Sequence, residues 1–367
     1  MEDYTVPPAI RTCHLPDPSY INALVPSLLY FFQLLYAMIS SLGYLYIIWF
    51  LLKAQNSKTV LSHDYLKIYV MDGIISLIVV ILDFMLTRPL IYLNGLCHLF
   101  FKWFPEPTYL LTPYLTLFNY FQFAKLISTF LLSANRFTCV AYPVAHKVIW
   151  QHTNYIISLA MLSPTAVTWH LAISPTVFDA YSGEGLLGYV RQVEWPWVRT
   201  RIFKLVLGTV VLLFIVYSNL RIHLITRKFK DKFKGLERTL TMSTLVTSVV
   251  FVIFILIQSF LLIFSVSFLV EHLWLGSILK KIEFCCNDFY ILSSPIVLFI
   301  MNKQLRSSIR KFCPATPQNT VKPEEKPLSK VDSKLVPATI AIVNHTYQAA
   351  KNSNGTPVIC TPHLASE

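Results

Sequence analysis

The sequence predicts an all-α integral membrane protein: a seven-transmembrane helix bundle with its N-terminus outside and a short amphipathic juxtamembrane helix. Three observations carry the prediction. Seven separate apolar stretches are each long enough to cross a hydrocarbon core, which at ~30 Å takes ~20 helical residues. Hydrophobic residues make up 54% of the chain against 14% charged, with a mean hydropathy of +0.54. A soluble domain of this length needs far more charge to cover its surface. Finally, the cations gather on alternate sides of the stretches, as Lys and Arg do at cytoplasmic flanks.

Residues 1–23 read as an extracellular N-terminal segment, and the transmembrane domain fills 24–302 with spans at 24–52, 67–87, 114–140, 154–174, 202–226, 243–269 and 281–302. Glu2, Asp3 and Asp17 offset Arg11 ahead of the first span, whereas Lys53 and Lys58 follow it. No basic n-region with a short apolar core and a small-residue cleavage site precedes that span, so it is expected to insert as its own anchor. With the N-terminus outside, sixteen Lys and Arg residues fall in the inner loops and the start of the tail, including Arg136, Lys147 and those between Arg227 and Arg238. Eight fall in outer segments, including Arg11, Arg88 and Lys102. An odd number of spans then leaves the C-terminus inside, so the acceptor patterns Asn344-His345-Thr346 and Asn354-Gly355-Thr356 should escape N-glycosylation.

The outer connections carry Trp103, Phe104, Tyr181, Tyr189, Trp195 and Trp197. Such aromatics anchor membrane interfaces, and a lid over an outer cavity is the alternative. After Asn302, Leu305, Ile309 and Phe312 recur at helical spacing with Lys303, Arg306, Arg310 and Lys311 on the other faces. Residues 303–313 therefore read as a basic amphipathic helix on the inner leaflet. It ends at Pro314, directly after Cys313, which is placed for lipidation or stands as an ordinary thiol. Residues 314–367, rich in Pro, Lys, Ser, Thr and Asn, read as a disordered cytoplasmic tail without a core.

Of the seven cysteines, only Cys13 and Cys97 lie clearly in outer segments, where a disulfide is permitted; they either bridge or stay unpaired. Cys285-Cys286 has no His or Cys partners at ligand spacing, so no metal site is expected. The net charge of +12 and pI near 9.3 raise nucleic acid as a partner. Because much of the excess sits beside the membrane, anionic lipid accounts for it and no nucleic-acid partner is expected. Nor is there a Ser/His/Asp order, a Gly-rich phosphate loop or a paired set of catalytic carboxylates, so neither an enzyme nor a cofactor is expected. A channel or transporter would call for aligned acidic rings or internal repeats, and the sequence has neither.

Ionisable residues inside spans are costly enough to mark a site. Lys125 lies eleven residues into the third span, and Asp288 lies seven into the last, both reckoned from the outer face. Their depths allow them to pair, with Gln122 and Gln258 near in depth, and Asp83 is the rival partner for Lys125. The four residues line a ligand pocket, or the pair staples two helices, or Lys125 faces water in an empty cavity. Asp72, close to the inner end of the second span, is expected to serve helix packing or proton or ion binding.

One stretch carries a family likeness. Residues 131–150 include Asn135-Arg136-Phe137, Pro143, His146 and Ile149-Trp150 at the inner end of the third span. This signature, with Gly235-Leu236-Glu237-Arg238-Thr239-Leu240 before the sixth span and Ser294-Pro295 in the seventh, resembles that of nematode serpentine chemoreceptors, most closely class gamma (Srg). The resemblance covers residues 21–314 and leaves the tail unassigned.

That resemblance implies a G-protein-coupled receptor for a small environmental or pheromone-like ligand, acting at the plasma membrane of sensory neurons and their cilia with a heterotrimeric G protein as partner. Arg136 matches the arginine that rhodopsin-like receptors place at the cytoplasmic mouth of the third span. Asn135 stands where those receptors usually have an acid, so an off-state clamp must find its carboxylate elsewhere, with Glu237 beside Arg238 as the nearest candidate. Ser294-Pro295 followed by Met301-Asn302-Lys303 lacks the Asn and Tyr of their seventh-span motif. The outer-loop cysteine that they bridge to the third span is missing as well.

Overall fold

The computed structural model describes residues 20–54, 63–181, 184–189, 200–228, 236–263 and 281–293. The chain divides into two units, Met1–Pro314 and Ala315–Glu367, and every described residue lies in the first. Its elements in order are α1 (Tyr20–Ala54), α2 (His63–Leu82), a π-helical turn (Asp83–Thr87), α3 (Arg88–Tyr92), α4 (Asn94–Trp103), α5 (Thr112–Ala141), α6 (Pro143–Trp150), α7 (Thr153–Leu162) and α8 (Thr165–Ala172). A hairpin, β1 (Thr176–Tyr181) and β2 (Glu184–Tyr189), precedes α9 (Thr200–Lys228) and α10 (Leu236–Ile263). A last helix, α11, covers 281–293.

Among the described residues, five segments are long and apolar enough to cross a membrane: Val25–Phe50, Asp64–Tyr92, Thr112–Ala141, Thr153–Ala172 and Ile202–Ile225. Ser248–Phe260 within α10 is a shorter apolar stretch. Side-chain placement supports a lipid solvent. On α1, Tyr30, Ala37, Tyr44 and Ile47 are buried, while Leu28, Phe32, Ile39 and Leu42 are more than half exposed. An apolar face of that extent is foreign to a soluble monomer; lipid tails cover it at no cost.

Polar groups are accordingly turned inward, and Pro residues punctuate the helices. Pro143 opens α6 and ends α5 at Tyr142, because it has no N–H to continue the ladder. Pro164 separates α7 from α8, and its carbonyl accepts from the Val167 and Thr168 amides at 3.0 Å. Helix α5 packs against α2, α8 and α9, and α9 packs against α10. The core runs through Tyr44, Val79, Phe84, Tyr92, Phe123, Leu126, Ile215, Phe251, Phe254, Phe284 and Tyr290. Two glycines let helices approach closely. A Cβ on Gly73 would stand 2.6 Å from Ile48 Cδ1, and one on Gly208 would stand 2.5 Å from Ile255 Cδ1.

The predicted second span stopped at Thr87, but the helix runs on to Tyr92 through the π turn. There the Arg88 amide donates to the carbonyl of Asp83, five residues back. The Leu82 carbonyl near this widened turn accepts the Tyr114 hydroxyl at 2.6 Å. A wider turn also changes which residues share a face: Asp83 and Arg88 both point inward. Arg88, counted on sequence as an outer-segment charge, is completely buried.

The hairpin adds a β element to the expected all-α fold. Its strands pair antiparallel from Thr176↔Tyr189 to Tyr181↔Glu184. Thr108 bridges to Thr176 with two 2.8 Å backbone bonds, and the Thr112 hydroxyl donates to the Ser174 carbonyl at 3.0 Å. The hairpin thereby docks on α3, α4 and the start of α5. Cys13, Cys313 and the tail lie outside the described residues, as does the side chain of Cys97 within α4.

Candidate functional site

Two buried ionic clusters and a small cavity occupy the interior of the bundle. In the first cluster, Lys125 of α5 donates to both carboxylate oxygens of Asp72 on α2, at 2.8 Å each. Ser128 donates to Asp72 Oδ1, and Tyr44 of α1 donates to Oδ2 at 3.3 Å. Asp72 is 1% exposed and Lys125 4%, so each charge depends on the other for neutralisation. The Lys125 ammonium also lies 5.7 Å from the centre of the Tyr290 ring, whose hydroxyl bonds to Thr129 at 2.9 Å.

The second cluster is built on Arg88. Its Nε donates to Asp83 Oδ2 at 2.7 Å. Its Nη1 donates to Asp288 Oδ2 at 2.8 Å and to Gln33 Oε1 at 3.1 Å, while Nη2 donates to the other Asp288 oxygen. The guanidinium stacks 4.1 Å from the Phe84 ring centre and 5.0 Å from that of Phe284. Gln33 passes the network on to the Tyr92 hydroxyl at 3.1 Å. One residue on α3 thus ties α1, the π turn and α11 together through the bidentate geometry that suits arginine. Asp83 Oδ1 is buried with no hydrogen-bond partner among the described residues.

These contacts correct the sequence pairing of Lys125 with Asp288. Lys125 pairs with Asp72, and Asp288 and Asp83 both pair with Arg88. The error lay in depth. Reckoned from Lys67, Asp72 seemed to sit at the end of a span; the apolar helix begins at Asp64, which puts Asp72 about 12 Å in, within reach of α5. Of the alternatives for Asp72, helix packing or proton or ion binding, the interhelical pair with Lys125 fits the first, and the ammonium fills the cation position beside the carboxylate.

Between α2, α5, α9, α10 and α11 lies a cavity of about 10 Å³, lined by Val79, Gln122, Lys125, Leu126, Lys204, Phe254, Asn287, Tyr290 and Ile291. That is room for about one water molecule. Lys204 donates to Gln122 Oε1 at 2.6 Å and lies 5.6 Å from the Phe254 ring centre. Of the four residues proposed from sequence for a pocket, Gln122 and Lys125 line this cavity. Asp288 belongs to the Arg88 cluster, and Gln258 donates to Glu283 across α10 and α11. Lys204 and Arg88 were missed. Lys204 carried a weaker signal than Lys125, since it lies at the start of its apolar segment and not in the middle.

At the far end of α5, Arg136 donates to the Tyr65 hydroxyl and stacks 5.2 Å from that ring's centre. Asn135 is buried, and its Nδ2 has no hydrogen-bond partner among the described residues. Glu237 and Arg238 fall in the first turn of α10, with their side chains outside the described residues. Beyond α5, Thr138 accepts from Trp150 Nε1 at 2.9 Å and contacts His146 Nδ1 at 3.0 Å. Burial pushes the His146 imidazole below its usual range, against an opposing pull from Asp64.

The family model for Srg family chemoreceptors matches residues 30–309. Among similar proteins, serpentine receptor class gamma-9 of Caenorhabditis elegans is 26% identical over 85% of this chain and 89% of its own length. Serpentine receptor class gamma-5 of the same organism is 29% identical over 69% of this chain and 76% of its own, and class gamma-8 is 25% identical over 79% and 88%.

Proposed function

Because this chain belongs to the Srg family of chemoreceptors, we propose that it is a G-protein-coupled chemosensory receptor. In this reading seven spans cross the plasma membrane of a sensory neuron, in its cilia, with the N-terminus and the hairpin outside. A small environmental or pheromone-like ligand enters from the hairpin end and binds at the cavity bounded by Gln122, Lys125 and Lys204, with Asp288 and Gln258 in the surrounding wall. Asn135, Arg136, Glu237 and Arg238 form the surface that couples to a heterotrimeric G protein. Cys313 carries a lipid, Cys13 bridges Cys97, and residues 303–313 lie on the inner leaflet.

One observation supports the reading above the rest: Lys125 and Arg136 are eleven residues apart on α5, about 16 Å and three turns, so they share a face. Both are tied to α2, Lys125 through Asp72 and Arg136 through Tyr65. A ligand touching Lys125 acts on one end of the α2–α5 contact, and a G protein touching Arg136 acts on the other. Two arrangements of that contact suffice to couple the sites, provided the ligand prefers one of them.

Calcium imaging of cells expressing the chain against a panel of small metabolites tests the reading. A reproducible response that Leu126→Trp, which fills the cavity, abolishes without loss of surface expression is the expected result. Responses untouched by that substitution would move the ligand elsewhere. Orientation has its own test: a glycosidase-sensitive mobility shift that vanishes in Asn344→Gln/Asn354→Gln would place the tail outside and overturn it.

A further inference from the structure

We propose that Asp83 and Asp288 bind one proton between them, seated at Asp83 Oδ1, so that the Arg88 cluster is a buried proton site. Charge comes first. The cluster holds two carboxylates and one guanidinium, with Arg88 fully buried and Asp83 and Asp288 each 2% exposed. Among the described residues, no further Lys, Arg or His pairs with either carboxylate. With both acids ionised the cluster would carry a net negative charge cut off from water, at a heavy cost in desolvation. Two carboxylates that share one site therefore hold a proton rather than ionise together.

Hydrogen bonding decides where the proton sits. Both oxygens of Asp288 accept from the guanidinium, Oδ2 from Nη1 and Oδ1 from Nη2. A hydrogen on either oxygen would face an N–H, so Asp288 is the ionised member. Asp83 accepts at Oδ2, from Nε at 2.7 Å, whereas Oδ1 is screened from solvent with no hydrogen-bond partner among the described residues. The nearby groups that could donate to it are engaged elsewhere. The Tyr114 hydroxyl of α5 donates to the Leu82 carbonyl at 2.6 Å, and the Tyr30 hydroxyl of α1 donates to the Phe84 carbonyl at 3.3 Å. Gln33 of α1 directs its NH₂ group to the Tyr92 hydroxyl of α3 at 3.1 Å and to Cys285 Sγ of α11 at 3.5 Å. A bare carboxylate oxygen in that position costs far more than a neutral hydroxyl there. A screened oxygen also leaves no room for a hydrated ion, whereas a proton needs no room. Protonated, Asp83 still accepts from Nε, and Arg88 and Asp288 form a neutral pair. The network joining α1, the π turn and α11 then carries no net charge.

Infrared absorption of the purified full chain in detergent at neutral pH reads the site directly, because the carbonyl band of a neutral carboxylic acid lies apart from those of carboxylates and amides. The unmodified chain should show such a band, and it should shift when the side-chain carboxyl carbon of aspartate is isotopically labelled, a result that needs no variant to fold. The band should be lost in Asp83→Asn. It should also be lost in Asp288→Asn, where Asp83 becomes the sole counter-ion of Arg88 and gives up its proton. Asp64→Asn, at the start of α2, should keep it. An unmodified chain without the band, a band that survives either cluster substitution, or one that vanishes in Asp64→Asn overturns the assignment. An absent band together with a Tm that rises with sodium chloride but not with N-methylglucamine chloride overturns it in favour of an alkali cation beside Asp83.

Discussion

Replacing Lys125 by Met removes the ammonium that meets both oxygens of Asp72 at 2.8 Å and strands a carboxylate that is 1% exposed. Breaking a buried ion pair from one side costs about 3–5 kcal/mol, since the remaining charge has no water to replace its partner. Ser128 and Tyr44 still donate to Asp72, which places the expected cost nearer the lower figure. At about 2 °C per kcal/mol for a chain of this size, Tm should fall by roughly 6–8 °C. Asp72→Asn should cost a similar amount by stranding Lys125. The double variant removes both charges and should cost less than about 2 kcal/mol, giving a coupling of roughly 3 kcal/mol or more. Purified full-length variants unfolded at one scan rate, followed by tryptophan fluorescence, supply the comparison. The control is Lys125→Met with Asp288→Asn, which should add to within about 0.5 kcal/mol because the two groups share no ion pair. If that second pair couples and the first merely adds, the assignment of Lys125 to Asp72 is wrong.

Within the Arg88 cluster, Asp288 accepts two bonds from the guanidinium while Asp83 accepts one and leaves Oδ1 without a partner among the described residues. Asp288→Asn should therefore destabilise by about 3 kcal/mol or more and Asp83→Asn by about 1–2 kcal/mol, measured by the same unfolding assay; the reverse order would refute the geometry. Arg136→Ala should abolish or deregulate G-protein signalling while ligand affinity changes only through the coupling between states, so complete loss of binding in a protein that reaches the surface counts against its role. His146 supplies a pH dependence. Its folded-state pKa lies below the ordinary value of 6.5, so the stabilisation it contributes is complete above that value and is lost as pH falls through it. Tm should drop between about pH 7.5 and about pH 5.5, and drop less in His146→Gln, whose side chain does not titrate there.

The five long apolar helices among the described residues were legible because apolar length and composition are properties of single helices. Pairing was not, because it depends on where helices begin relative to one another. Asp72 shows the difference: an offset of three residues between Lys67 and Asp64 moves it by about 4.5 Å along the axis and changes its partner. Arg88 was hidden by the π turn. Five residues on a regular helix separate Asp83 from Arg88 by about 140°, and only the widened turn brings both to one face. Lys204 was harder to read than Lys125, since it is the third residue of the apolar segment Ile202–Ile225, where a lysine can reach the interface. The hairpin had its own signal in the sequence: Thr176, Val177 and Phe178 are strand formers, and Ser-Gly at 182–183 is a turn-forming dipeptide. The aromatics of that loop had been read only as interface anchors.

Charge placement along α5 leads to one further step. The helix carries two cations, and each is tied to α2: Lys125 to Asp72 in the bundle interior, and Arg136 to Tyr65 near the start of α2. Between them Ser133 meets Ser218 of α9 at 3.0 Å, and one residue on along α9 Asn219 donates to Ser248 of α10 at 2.7 Å. Hydroxyl and amide bonds of this kind average about 0.6 kcal/mol in helical membrane proteins, far less than a buried ion pair is worth when one partner is removed. Apart from the Lys204–Gln122 bond, the polar hold of α5 is therefore stronger on α2 than on α9, and α10 is bonded in turn to α9. A rearrangement that preserves the ion pair and exchanges the weaker bonds moves α9 and α10 against an α2–α5 unit. In that motion Lys204 on α9 shifts relative to Gln122 on α5. Under the proposed function, a ligand in the cavity between them would favour one arrangement over the other.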